Sequence, residues 1–175
     1  MKIKEDSYMY EMIRTELTDV VGDEFVDTKF ADKFGHSIDY YWIPEMWHDR
    51  GRVCPKTSEE VARIMKIANQ YKIPVVPWGG GSGSQGGALP IYNGIVLDMK
   101  RMNRIIKIDK QALTVTAQTG IITKHLEWGC NKEGLSTMHL PASIACSTIG
   151  GFLAHRGTGV LSTKYGKIED TVMSQ

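Results

Sequence analysis

A chain of 175 residues with 42% hydrophobic content can bury one substantial core. Twenty-one basic and twenty acidic residues, mixed along the chain, give a formal charge of +1 and exclude an electrostatic case for nucleic acid or an anionic membrane. The polar start Met1-Lys-Ile-Lys-Glu-Asp-Ser-Tyr8 opens no apolar signal region and no run reaches membrane-spanning length. Cys54, Cys130 and Cys146, an odd and scattered set, read as buried, reduced thiols of a cytoplasmic protein.

Tyr10, Ile13, Leu17 and Val20/Val21 recur at helical spacing, and Gly22 stops the run. The stretch 34–47 is dense in aromatics and broken by proline; it reads as chain packed over the outside of a domain. Residues 1–50 therefore form a helical and irregular leader, and residues 51–175 the domain proper. Arg52–Pro55 is a short strand, and Thr57 with Glu60 fits a capping box. Val61, Ile64, Met65, Ala68 and Tyr71 form one apolar helical face before the strand Ile73–Val76. Strand, helix, strand is the short parallel unit.

That second strand runs into Pro77-Trp-Gly-Gly-Gly-Ser-Gly-Ser-Gln-Gly-Gly87. Each glycine costs backbone entropy on ordering, so a run of them calls for a close approach to the main chain. Successive amides pointing one way make a nest for phosphate or diphosphate. Gly81 to Gly86 satisfies G-x-G-x-x-G, but that fingerprint requires a helix to follow. Pro90 and Gly94 interrupt any helix, and Ile95–Asp98 is a strand, so the context argues against a Rossmann fold. No P-loop pattern occurs.

Ile95–Asp98, Arg104–Ile108 and Leu113–Ala117 read as a meander of short strands, and Ile122–Glu133 as a helix ending at Gly134. His125 and Glu127, two apart on that helix, read as surface residues. Cys130 and His139 lack zinc-site spacing, so no metal site is expected. A second small-residue cluster spans Leu140 to Gly159. Ser143, Ser147 and Thr148 supply hydroxyls there, and Gly150/Gly151 permit close approach. With the earlier loop, it could grip one long ligand from opposite sides.

Four motifs in order, Pro77-Trp-Gly-Gly-Gly-Ser-Gly83, Leu113-Thr-Val-Thr-Ala-Gln-Thr-Gly120, Pro141-Ala-Ser with Ser147-Thr-Ile-Gly-Gly151, and Lys164-Tyr-Gly-Lys-Ile-Glu-Asp170, closely resemble the FAD-binding domain of the vanillyl-alcohol oxidase (PCMH-type) flavoproteins. The branch of glycolate oxidase D-subunits, D-lactate dehydrogenases and alkyldihydroxyacetonephosphate synthases looks nearest. The resemblance covers roughly Arg52 onward. It implies an α+β, PCMH-type FAD-binding domain, a small parallel strand–helix unit plus a mainly antiparallel sheet with FAD between them, incomplete at its C-terminal end.

Carried over residue by residue, the resemblance places Pro77, Trp78, Gly79, Gly80, Gly81, Ser82, Gly83 and Ser84 around the FAD diphosphate. It places Pro141, Ala142, Ser143, Ser147, Thr148 and Gly151 along the ribityl chain and isoalloxazine, and His155, Arg156, Gly157 and Thr158 at a third contact. His155 departs from the family pattern at that contact. Some relatives bind flavin covalently through a histidine of the first loop; here that loop offers Gly, Ser and Gln, so FAD is expected to be noncovalent. No catalytic residue is nominated. The implied activity is oxidation of a small 2-hydroxy acid such as lactate or glycolate, by hydride transfer to flavin N5. The alternatives are an ether-lipid synthase-like, FAD-dependent transferase and a non-catalytic interaction module. A further polypeptide or self-association is expected to complete the flavin domain.

Overall fold

The computed structural model describes residues 2–27, 35–36, 51–92 and 94–174. The chain forms two compact units, Met1–Trp78 with Gly83–Arg101, and Gly79–Ser82 with Met102–Gln175. Apart from Gly35 and His36, the aromatic stretch 34–47 lies outside the described residues.

In the first unit, helix α1 (Lys2–Val21) ends at the expected glycine. Gly22 takes φ 95°, and its amide donates to the Thr18 carbonyl at 2.8 Å. Ile13, Leu17 and Val21 of this helix are buried in one cluster with Ile64 and Ala68 of α2 (Ser58–Gln70), so it is part of a core rather than an appendage. Fully burying each such aliphatic side chain contributes roughly 1.5–3 kcal/mol. Met65, expected on the apolar face of α2, is instead exposed. The Thr57 hydroxyl accepts from the Glu60 amide at 3.2 Å, as a capping box requires. The reciprocal bond lands one residue early, from the Lys56 amide to Glu60 Oε2 at 2.6 Å.

The sheet of this unit contains β1 (Val26–Asp27), β2 (Gly51–Val53), β3 (Val75–Trp78) and β4 (Ile95–Asp98), in the order β1-β2-β4-β3. β4 pairs in parallel with both β2 and β3, so the meander expected from Ile95 onward is corrected. All four of its residues are buried. A short, continuous apolar run is what a central parallel strand covered on both faces demands. Its last residue, Asp98, receives Arg52 Nη1 at 3.3 Å, Lys100 Nζ at 3.3 Å and the Lys100 amide at 3.0 Å, with His36 Nε2 at 3.5 Å. Arg52 also pairs with Asp27.

The second unit has an antiparallel hairpin, β5 (Ile105–Asp109) and β6 (Thr114–Ala117), whose turn is fixed by Asp109 Oδ1 accepting from the amides of Gln111 and Ala112. Helices α3 (Thr123–Lys132), α4 (Ile149–Ala154) and α5 (Ser162–Tyr165) follow. Ile121, Leu126 and Cys130 form the buried centre, with Ile105, Val115, Ala117 and Ile149 packed on it. Gly129 of α3 lets that helix lie directly on Ile105, where a Cβ would collide with the isoleucine tip. Of the three cysteines expected to be buried, Cys54 and Cys130 are, whereas Cys146 is exposed. No helix among the described residues is long and apolar enough to cross a membrane.

Candidate cofactor-binding site

The glycine loop leaves β3 after Trp78, and its residues Gly79–Ser82 pack within the second unit. A Cβ on Gly79 would collide with Thr148 Oγ1, and one on Gly80 with the Cys146 carbonyl. From the other side, a Cβ on Gly151 would stand 3.1 Å from Thr148 Oγ1 and 4.0 Å from Gly79 Cα. The two segments singled out in the sequence therefore touch, main chain to main chain. This revises the reason for two of the glycines: Gly79 and Gly80 are small because the 146–148 segment fills their space. Gly81 is needed for its conformation, at φ 63°, whereas a methyl at Gly83 would meet nothing within 4 Å.

The amides of 79–84 find no acceptor among the described residues. In a partly exposed loop, six successive donors of this kind are left to solvent or to a ligand. Pro77 and Gly83 are exposed, and Ser82 and Ser84 are half-buried. Trp78 is buried in the first unit, its ring edge-on to His36 at 4.8 Å, so its indole serves that core.

In the second cluster, Pro141 is buried, Ala142 exposed and Ser143 half-buried. Ser147 is buried, and its hydroxyl donates to the Ser143 carbonyl at 2.9 Å and lies 3.2 Å from Thr123 Oγ1. Thr148 caps α4, its hydroxyl accepting from the Gly151 amide at 3.3 Å. Both hydroxyls brace their own segment. At the third expected contact, His155 and Thr158 are exposed. Arg156 adopts φ 57° with its guanidinium on Glu169 at 3.1 Å. Gly157 is buried where a Cβ would collide with the Phe152 ring.

Glu127, expected at the surface, is buried. Its carboxylate accepts from the Ser136 hydroxyl at 2.7 Å and from the Thr137 amide and hydroxyl at 2.9 and 2.6 Å. Burial pushes this carboxyl upward, but the hydrogen bonds from Thr137 and Ser136 outweigh it and leave the pKa lowered. Glu127 thus ties α3 to the chain that leads into His139. Ser136 and Thr137 lie nine and ten residues away, outside helical spacing, so no local pattern announced them. Among the described residues no group of three or more His, Cys, Asp or Glu could hold a metal ion.

The scaffold is α+β, and its glycine loop is braced by a second small-residue segment. A sequence model described as an FAD binding domain matches residues 50–174, and the chain belongs to that family. FAD is the cofactor this membership assigns. The chain is similar to an alkyldihydroxyacetonephosphate synthase of Dictyostelium discoideum, 39% identical over 70% of this chain and 20% of that one. It is also similar to the glycolate oxidase subunit GlcD of Bacillus subtilis, 33% identical over 92% of this chain and 34% of that one.

A solved alkyldihydroxyacetonephosphate synthase superposes with a TM-score of 0.87 at 30% identity, over 93% of this chain and 32% of the other. A p-cresol methylhydroxylase, at TM-score 0.75 and 23% identity over 85% of this chain and 30% of the other, shares the fold, which is therefore of the PCMH type. The chain spans between 20% and 34% of the length of these curated relatives.

Proposed function

We propose that this chain is the FAD-holding part of a flavin-dependent oxidoreductase, with the amides of 79–84 clasping the diphosphate. The carrying observation is those six donors without an acceptor among the described residues, in a loop whose Gly79 and Gly80 pack against Thr148 and Cys146. Hydrogen bonds to a charged acceptor are worth roughly 1.5–3 kcal/mol each, so a few amides suffice without a lysine. Ala142 and Ser143, whose amides find no acceptor among the described residues, and the exposed His155 and Thr158 suit the flavin end. The Thr148 hydroxyl, which accepts from the Gly151 amide, keeps its own proton to donate. FAD is held noncovalently in this reading, because the loop carries no histidine.

The assembled enzyme is proposed to oxidise a small 2-hydroxy acid, with FAD accepting the hydride; the likeness to a glycolate oxidase subunit supports this. An ether-lipid synthase-like transferase is the second reading, favoured by the 0.87 superposition. Incubated with FAD and desalted, the purified chain is expected to retain flavin absorbance at one FAD per chain; a colourless protein sinks the assignment and favours the interaction module. D-lactate should then bleach the flavin of the assembled enzyme without oxygen, and persistent colour would favour the transferase.

Both outer edges of the β5–β6 hairpin lack a strand partner among the described residues. Open edges invite pairing, so association with a complementary polypeptide or a second copy is proposed. Gel filtration should show a mass above 19.6 kDa, and a stable monomer counts against it.

A further inference from the structure

Thr123 opens α3 with a hydroxyl that does nothing for its own helix. Ile122 holds the cap position there, with no side-chain cap bond. Thr123 is 1% exposed, and a valine would fill nearly the same volume without burying a polar group. The hydroxyl turns instead to Ser147, 3.0 Å from its carbonyl and 3.2 Å from its hydroxyl. Ser147 directs its own proton to the Ser143 carbonyl at 2.9 Å, so Thr123 is the donor between the two residues.

The Ser147 carbonyl already accepts from the Thr123 amide at 2.9 Å. One bond satisfies a buried carbonyl, so the second supplies direction rather than satisfaction. Two donors from one residue fix the peptide that joins Ser147 to Thr148. The backbone on either side is tied along the same line. The Lys124 amide donates to the Ile144 carbonyl at 2.9 Å, the Ile149 amide to Ile121 at 3.0 Å and the Gly150 amide to Thr119 at 2.8 Å. Ile122 and Thr148 form an antiparallel bridge. A Cβ on Gly150 would stand 2.6 Å from the Thr119 Cβ, so the two stretches are in close contact. The glycine loop rests on the segment so held: Gly79 packs on Thr148 Oγ1 and Gly80 on the Cys146 carbonyl, within one compact unit.

We infer that Thr123 is a positioning residue for the cofactor, holding segment 146–148 through the Ser147 carbonyl so that Gly79 and Gly80 seat the loop that clasps the diphosphate. The inference rests on the FAD reading above. Buried as it is, Thr123 touches no ligand itself; its effect passes through main-chain atoms. Without the hydroxyl, the free chain keeps the amide bond but loses the fixed direction. Cofactor binding must then restore that direction, and the affinity falls.

Thr123→Val removes the hydroxyl at nearly constant volume. It should raise the Kd for FAD about fivefold to tenfold, the loss of one neutral hydrogen bond. Thr123→Ser retains the donor and should bind within about twofold of wild type. A double variant with Gly80→Ala separates positioning from a general loss of stability. Two residues acting through the same 146–147 backbone have overlapping effects, whereas independent sites multiply. The double variant should therefore be no more than about twofold weaker than Gly80→Ala alone. Each Kd is read by flavin fluorescence, on chains shown to be folded by circular dichroism.

A folded valine variant of wild-type affinity overturns the inference. So does a serine variant as weak as the valine one, or effects that multiply in the double variant. If the valine variant does not fold, hydrogen exchange of the wild-type chain decides. FAD should slow the Thr123, Lys124, Ile149 and Gly150 amides about tenfold more than the β5–β6 amides of the same unit, and equal slowing overturns the inference. Failure of the wild-type chain to take up FAD removes both this inference and the reading beneath it. Uptake combined with any of the overturning results removes this inference alone.

Discussion

Gly80→Ala is expected to raise the Kd for FAD by about two orders of magnitude. The added Cβ would meet the Cys146 carbonyl oxygen, with the carbonyl carbon at 2.8 Å and Ser147 Cα at 3.1 Å. All of these atoms are main chain, so no rotamer change can make room. Overpacking of this kind costs about 1–3 kcal/mol, and a backbone obstacle places it at the upper end. The free chain can relieve the strain by drawing the loop away from 146–147. A cofactor that needs both segments together restores it, so the penalty falls on binding, and each ~1.4 kcal/mol is a factor of ten. Gly83→Ala is the control. Its Cβ meets nothing within 4 Å and its backbone is not left-handed, so the fold should be unaffected. Any loss of FAD affinity there, about tenfold where the diphosphate closes on the main chain, reports the ligand itself. Fluorescence titration of both variants gives the answer, and wild-type affinity in Gly80→Ala would end the clasp idea.

What the sequence made legible was whatever depends on neighbours along the chain. Gly22 and Gly134 mark helix ends because a left-handed residue is a local requirement. The Thr57 cap and the Ile64–Ala68 face follow from helical spacing. Chain order alone suggested a meander at Ile95, since an apolar run of three does not say which strands flank it. Its place between β2 and β3 is decided by burial on both faces. Glu127 misled for a similar reason: a carboxylate on a helix is ordinarily solvated, and here the returning chain at Ser136 and Thr137 satisfies it inside. At the candidate site, the two clusters were visible as compositions. Which glycines serve the protein and which remain open to a ligand required the opposing segment to be seen.

Asp98→Asn is expected to lower the stability of the first unit by about 3 kcal/mol, the low end for breaking a buried ion pair. The low end applies because Lys100, with 45% of its side chain exposed, can regain water. A carboxamide cannot balance Arg52 and Lys100 together, and its NH2 group faces donors. Arg52 would keep only Asp27, and β2 and β4 would lose their side-chain tie. The pH dependence gives a second signature. Burial pushes the Asp98 carboxyl upward, but the hydrogen bond from His36 and the amide and charge of Lys100 outweigh it, so the pKa is lowered. A carboxyl lowered by folding stabilises fully above its unfolded pKa, about 3.9, and loses that contribution as pH falls through the folded value. Wild-type stability should therefore decline below about pH 4. The substituted carboxamide does not titrate, so the variant's decline should be shallower, with Glu127 supplying part of what remains. Urea unfolding followed by circular dichroism between pH 7 and about pH 2.5 measures both effects. Equal stability at pH 7 with parallel acid limbs would mean that the charges around Asp98 behave as solvated surface groups, whatever their distances.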